Sequence, residues 1–251
     1  ATLAGGLRDR GHDVRVIAPS DRGQVGEPVL DGIPVHRVRY AAAAQETLAY
    51  RGTMAEAART PAGAWRAWSL IRAMRRAARA ALDEGAEVVH AHWWVPAGLA
   101  APPGAPLVIT LHGTDAGLLE RSALARRLAR PVFRRAHVVT AVSAHAARQV
   151  TRATGRDIPA ACIQPMPVDV GRYGTVGKGG GGMVAVARLT RQKRIDLALR
   201  ALALAPDLPS LAIVGAGPER EGLEALARDL GVEGRVRFLG AVPPGEVVAR
   251  L

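Results

Sequence analysis

Short apolar runs and helix-like stretches alternate from one end of this chain to the other, and no other feature constrains its fold as strongly. Val14–Ala18 reads as a short buried strand closed by Pro19-Ser20, and residues 33–39, with Ile33, Val35 and Val38 among polar neighbours, read as a second. Further strands are predicted at 87–91, 108–111, 138–141, 183–187, 211–214 and 236–239. Helical patterns lie between them, at 2–10, 61–82, 118–134, 144–151, 195–204 and 218–230. Gly11 stops the first helix, and Ser143 stands where the N-cap of the fourth belongs. Strands that alternate with helices predict βαβ units and parallel sheets. A Gly-rich break at 171–182 (Gly171, Gly174, Gly177, Lys178, Gly179–Gly182) predicts a linker between residues 1–170 and 183–251.

The 251 residues suffice for one large or two small α/β domains, and 49% hydrophobic content excludes a disordered chain. One cysteine, Cys162, excludes an internal disulfide framework and suits reducing surroundings. No run reaches the ~18 apolar residues of a spanning helix. The net charge of +12 invites an anionic partner. Its make-up argues equally for coding bias, because only Lys178 and Lys193 are lysines, the remaining basic residues are Arg, and Asn is absent.

In open α/β sheets the ligand sits at the carboxyl ends of the strands, so residues just after each strand are the candidates for chemistry. After 87–91 comes His92-Trp93-Trp94, a possible ligand wall, or a packed Trp pair beside His90 and His92 with local hydrogen bonds. After 108–111 comes His112-Gly113-Thr114-Asp115, in which His can stabilise charge and Gly admits a ligand to the backbone. A capped turn would use the same residues. After 183–187, Arg188, Arg191, Lys193 and Arg194 precede a helix N-terminus, and both cations and free helix N–H groups attract phosphate. After 211–214, Gly215-Ala216-Gly217-Pro218 is a tight strand-to-helix turn; as a dinucleotide fingerprint it lacks the third glycine and comes late in the chain. Gly5-Gly6, flanked by Leu3 and Leu7, is structural within its helix.

The helix at 65–82 carries Leu70, Ile71, Met74 and Leu82 on one side, and Arg72, Arg75, Arg76 and Arg79 on the other with Trp65 and Trp68 among them. Exposed Trp beside Arg suits the headgroup level of an anionic membrane. A solvated basic face with Trp covering a loop gives the same pattern.

Taken in order, Gly11-His12-Asp13-Val14, Val89-His90-Ala91-His92-Trp93, Thr110-Leu111-His112-Gly113, Val139–Ser143 and Pro167-Val168-Asp169 resemble the N-terminal domain of retaining GT-B glycosyltransferases of family four. Ala187-Arg188-Leu189 with Lys193, Ile213–Pro218, and Arg237-Phe238-Leu239-Gly240 resemble the opening of the C-terminal domain. The resemblance implies two Rossmann-like domains with parallel sheets facing a cleft, and transfer of a hexose from a nucleotide sugar with retention and without a metal or other cofactor. It implies that Arg188 and Lys193 hold the donor diphosphate and stabilise the leaving group, the main catalytic effect expected without a metal. His112 would contact the donor sugar near the reacting carbon, Gly113 would allow close approach, and Gly215 and Gly217 would belong to the donor site. His92 and Trp93 would line the acceptor side. The acceptor is a lipid-linked sugar, a polysaccharide or a small molecule, and the expected location is cytoplasmic, peripheral on the inner face of a membrane through residues 65–79.

The family also has a first strand and glycine-rich loop ahead of residues 2–10, and a Glu-x7-Glu segment after Gly240. Neither is in this sequence, so the expectation is an internal fragment, incomplete in both domains and inactive alone. The alternatives are a polyanion-binding module working through the Arg-rich helices, and a Rossmann dehydrogenase. No recognised nucleic-acid fold is present and aromatic residues are only 4%, so nucleic acid is not an expected partner.

Overall fold

The computed structural model describes residues 2–24, 29–50, 54–168, 170–172, 181–243 and 246. The chain divides into two compact units, Ala1–Val168 and Asp169–Leu251. Of the Gly-rich stretch 171–182, residues 173–180 lie outside the described residues, as does Asp169 of the Pro167-Val168-Asp169 motif.

The first unit opens with α1 (Thr2–Arg8), which contains Gly5 and Gly6 and ends in a turn to Gly11 at φ +90°. Strand β1 (Val16–Pro19) follows, then β2 (Val29–Leu30) and β3 (Ile33–Val38). β1 begins two residues later than predicted because its parallel register runs from Val16 opposite Val35 to Pro19 opposite Val38. Proline is tolerated there, at the strand's end. β2 has no counterpart in the sequence reading. It pairs antiparallel with β3 across Asp31-Gly32, both at positive φ (53° and 77°), the turn that an Asp-Gly pair between apolar runs makes.

After α2 (Met54–Ala57) comes α3 (Pro61–Asp83), capped by the Thr60 hydroxyl accepting from Gly63 N–H and started by Pro61 at its first position. Leu70, Ala73, Met74 and Ala78 are buried on one side, the first three packed with Val38, Tyr40 and Leu48. β4 (Val89–His92), β5 (Leu107–Leu111) and β6 (Val138–Ala141) form a parallel sheet in the order β4-β5-β6. Its centre is β5, buried almost throughout, as a strand with neighbours on both edges and helices on its faces should be.

The helix predicted over 118–134 is two helices, α4 (Thr114–Arg121) and α5 (Ala123–Arg135). They part at Ser122, which takes an extended backbone and accepts from Ala125 N–H at 3.1 Å, capping the second helix. An N-cap buried inside an apolar-periodic run was the missed signal. Ser143 caps α6 (Ala144–Thr154), and Gly155 ends it in the left-handed conformation. Trp94, Leu107, Ile109, Leu111, Leu119 and Phe133 are among the largest side chains of this core.

The second unit holds β7 (Met183–Val186), α7 (Ile195–Leu204), β8 (Leu211–Val214), α8 (Arg220–Asp229) and β9 (Val236–Gly240), with a parallel sheet in the order β7-β8-β9. β8 is buried along its whole length, whereas Val184 and Val186 of β7 are exposed. Leu189, Leu199, Leu202, Ile213 and Leu223 make the core.

Several arginines close helix ends or loops by donating to main-chain carbonyls, Arg126 on Leu119 and Glu120 at the end of α4 among them. Arg235 bonds Leu202 in the last turn of α7 and Ala205 and Leu208 beyond it, Arg156 bonds Phe133 and Ala136 at the end of α5, and Arg135 bonds Gly98 and Ala101. The planar guanidinium can satisfy two or three orphan carbonyls at once.

Candidate active site

In the first unit, parallel pairing sets His92 of β4 opposite Thr110 of β5. Two residues past that register, the chain leaves β5 into His112-Gly113, so His92 and His112 meet. Their Nδ1 and Nε2 atoms lie 2.9 Å apart. Of these two nitrogens one carries the proton and donates, and the other accepts. His90, two residues earlier on the same face of β4, stacks on His92 with ring centroids 4.5 Å apart. Its Nε2 is 2.7 Å from the Thr110 hydroxyl, which bonds the Thr140 hydroxyl at 2.8 Å. His90, unremarkable in the sequence beyond local bonding, therefore anchors the cluster.

All three imidazoles are held neutral at pH 7. Loss of water around the ring, then the neighbouring His90 and His112, lowers His92 to about 4. The same loss of water, with His112 beside it, lowers His90. Burial also lowers His112, against the pull of the Asp115 carboxylate.

The sequence alone places Asp115 only within a turn. It is buried, and its carboxylate accepts from His112 N–H at 2.9 Å and from Trp94 N–H at 3.4 Å. It thus ties the loop after β5 to the loop after β4. Burial raises its pKa, opposed by those backbone donors. The Trp94 indole N–H donates to Asp115 O at 2.9 Å, so Trp94 is packed while Trp93 is 40% exposed at φ +75°. Of the two tryptophans, Trp94 is a core residue and Trp93 lies at the surface. Trp93 lies edge-on to His112, 6.3 Å between ring centroids. Gly113 precedes α4 at φ +95°, and a Cβ there would meet nothing within 4 Å. Backbone conformation, rather than lack of space inside the protein, is what requires glycine.

In the second unit, Arg188 and Lys193 are exposed on the connection between β7 and α7. The connection is pinned to the end of β8 and the loop after it: Ala187 N–H donates to Val214 O at 3.0 Å, Leu189 N–H to Ala216 O at 2.9 Å, and Glu219 N–H to Leu189 O at 3.1 Å. Gly215, at φ +144°, and Gly217 make this approach possible, since a Cβ at either would collide with the carbonyls of Ala187 and Leu189. Both glycines therefore have a packing reason of their own. Of the four cations after β7, Arg194 is committed to a bidentate pair with Asp196 at 2.9 and 3.0 Å. Asp196 also lies in the first turn of α7, where a carboxylate suits the helix dipole.

Comparison with known proteins agrees with this architecture. A curated mannosyltransferase of Mycolicibacterium smegmatis, GDP-mannose-dependent alpha-(1-6)-phosphatidylinositol monomannoside mannosyltransferase, is 32% identical over 163 residues, 57% of this chain. The chain spans 41% of that relative's length. Among solved structures, Anabaena HepE in complex with UDP-glucose aligns with 91% of this chain and 69% of its own, at 18% identity and a TM-score of 0.60. WaaG, a glycosyltransferase of lipopolysaccharide biosynthesis, aligns with 98% of this chain and 66% of its own, at 15% identity and a TM-score of 0.54. The fold is that of the GT-B glycosyltransferases. The family description "Glycosyltransferase Family 4" matches residues 1–172 and "Glycosyl transferases group 1" matches residues 179–251, and the chain belongs to glycosyltransferase family 4.

Proposed function

We propose that this chain carries the hexosyl-transfer machinery of a retaining glycosyltransferase that uses a nucleotide-sugar donor. The observation that carries this reading is the β7–α7 connection, which presents Arg188 and Lys193 to solvent while its backbone is locked to the loop after β8. Two cations on a rigid support suit a diphosphate leaving group: they bind the negative charge that grows as the glycosidic bond breaks, with little reorganisation and no metal. Neutral His112 serves the donor sugar through a ring nitrogen and backbone freed by Gly113, and His92 and Trp93 serve the acceptor. The His92–His112 bond couples the two sides. The acceptor class is a lipid-linked sugar, a polysaccharide or a small molecule, and the site of action is cytoplasmic.

Membrane contact through residues 65–79 belongs to the same proposal. Trp65 is 64% and Trp68 45% exposed, and Arg72, Arg75, Arg76 and Arg79 are on the surface of α3. No described helix is long and apolar enough to cross a membrane. Such a face adsorbs to anionic lipid by charge and by aromatic insertion at the headgroup level.

The test is nucleoside-diphosphate binding. Arg188→Ala should weaken it by about 1–3 kcal/mol, the worth of a charged hydrogen bond, or roughly 5- to 150-fold. Unchanged affinity would remove the diphosphate assignment. A screen of nucleotide sugars against the full-length gene product, scoring transfer and donor hydrolysis, identifies the donor.

A further inference from the structure

An open cleft of about 380 Å³ lies between the segment that leaves β3 (Arg39, Tyr40, Ala41) and the surface of α3 (Trp68, Ser69, Arg72, Arg76). Three guanidinium groups line it. Arg39 is already spoken for: its Nε donates to Glu46 Oε1 at 2.6 Å and its Nη2 to Ala41 O at 3.1 Å. Glu46 is fully buried, and its second oxygen accepts from the Ser20 hydroxyl and Gly23 N–H. The carboxylate is therefore fixed and cannot swing toward α3.

That leaves Arg72 and Arg76 with no carboxylate partner among the described residues, a local excess of two positive charges. Arg72 is nonetheless held in place, its guanidinium 4.5 Å from the Trp68 ring centroid. Stacking uses the flat face of the cation and leaves its N–H donors free. Ser69, Arg72 and Arg76 follow one another at helical spacings of three and four, so they share one face of α3. The half-buried Ser69 hydroxyl is a third donor with no partner among the described residues.

We propose that this cleft binds a phosphate ester of a small polyol or sugar. The phosphate takes Arg72, Arg76 and the Ser69 hydroxyl, and the carbon portion lies against Trp68. Two unneutralised guanidinium groups match the −1.5 to −2 charge that a phosphate monoester carries near pH 7 (about that range for phosphorylated side chains). The cleft's volume falls at the small end of ligand pockets, about 300–1,000 Å³. The inference is built on α3 and the end of β3 alone and does not rest on the transferase reading. It also differs from diffuse membrane adsorption, in which every exposed Arg of α3 counts alike.

The experiment titrates the full chain with glycerol 3-phosphate by calorimetry, and in parallel co-sediments it with phosphatidylcholine vesicles, pure or containing one part in five phosphatidic acid. Saturable one-to-one binding that falls tenfold or more in Arg72→Gln/Arg76→Gln, and less than twofold in Arg79→Gln and Arg188→Ala, supports the site. If the soluble ester binds and vesicles are ignored, the natural ligand is a soluble phosphate ester. Retention on the acidic vesicles that the double variant loses, and that Arg79→Gln weakens only by the partial amount expected for one surface charge, assigns a lipid headgroup. Equal losses in Arg79→Gln and the double variant would reduce the cleft to general surface charge and overturn the proposal. So would loss of binding in Arg188→Ala, which would place the ester in the second unit, or no saturable binding in either arm. All the substituted side chains are on the surface, and unchanged thermal unfolding of each variant excludes misfolding as the cause.

Discussion

Glu46 is the residue whose removal the structure prices most clearly. Its side chain is fully buried, and it receives four donors: the Ser20 hydroxyl at 2.7 Å, Gly23 N–H at 2.9 Å, Arg39 Nε at 2.6 Å and Tyr40 N–H at 3.1 Å. Burial pushes the carboxyl up, but these bonds outweigh it and bring the pKa from 4.5 down to about 2. A depression of that size, at about 1.36 kcal/mol per unit, corresponds to about 3 kcal/mol of stability. The sign is that of a carboxylate favoured in the folded state. The contribution is complete above pH 4.5 and is lost as pH falls from 4.5 toward 2. Glu46→Gln preserves shape and one accepting oxygen but turns an amide donor toward donors it cannot satisfy. The expected loss at pH 7 is about 3 kcal/mol, of the order of one unmet charged site. All four tryptophans lie at 65, 68, 93 and 94, so fluorescence followed through a urea titration reports the first unit alone. The gap between the native protein and Glu46→Gln should close as the pH is stepped down from 7 toward 2.5. A gap under about 0.5 kcal/mol at pH 7, or one that stays constant into acid, would refute the reasoning, since the first is no more than a surface substitution costs.

Four other outcomes follow from the structure. His92, held at about 4 against an ordinary 6.5, stays neutral while the unfolded chain takes up a proton, so stability should decline from pH 6.5 to about 4 and then level off. The full shift would be worth about 3 kcal/mol, and solvent at the exposed ring reduces it to about 1–2 kcal/mol; an unchanged acid slope in His92→Gln would count against the histidine cluster. Gly215→Ala forces a Cβ onto the Ala187 carbonyl at φ +144°, and should destabilise the second unit by about 2–5 kcal/mol, seen as lost amide-exchange protection in 183–240. Gly222→Ala, in α8 with nothing within 4 Å, should instead stabilise it by up to about 1 kcal/mol, and equal behaviour of the two would dismiss the packing argument. Asp115→Ala leaves the N–H groups of His112 and Trp94 unmet inside the protein, at a cost of about 1–3 kcal/mol on the same fluorescence assay; a neutral result would show that water replaces the carboxylate.

What the sequence shows well is local. Thr60-Pro61 and Ser143 start helices by their own side chains, and the apolar runs of β6 and β8 lie where periodicity puts them. What it hides is register. His92 and His112 stand out as residues at strand ends, but a bond between them depends on parallel pairing of strands twenty residues apart, which no local pattern specifies. Glu46 was invisible for the same reason, because its four donors come from Ser20, Gly23, Arg39 and Tyr40 and are brought round it only by the pairing of β1 with β3. Arginine content read as coding bias or as an anion signal. Arg135, Arg156 and Arg235 show a third use, as ties on the carbonyls that helices leave open. The hairpin at Asp31-Gly32 and the cap at Ser122 were legible in principle, since both rest on short motifs with a known backbone preference.

The exposed valines of β7 bear on how this chain behaves in solution. Met183-Val184-Ala185-Val186 is uncharged and free of proline, and among the described residues it pairs with a neighbour, β8, on one edge. Val184 and Val186 are 36% and 47% exposed on its face. A strand of this kind offers main-chain N–H and C=O groups and an adhesive side to any similar strand it meets. Purified material should therefore scatter light increasingly with concentration even where the net charge of +12 keeps molecules apart at low salt, and added salt should sharpen the effect by screening that repulsion.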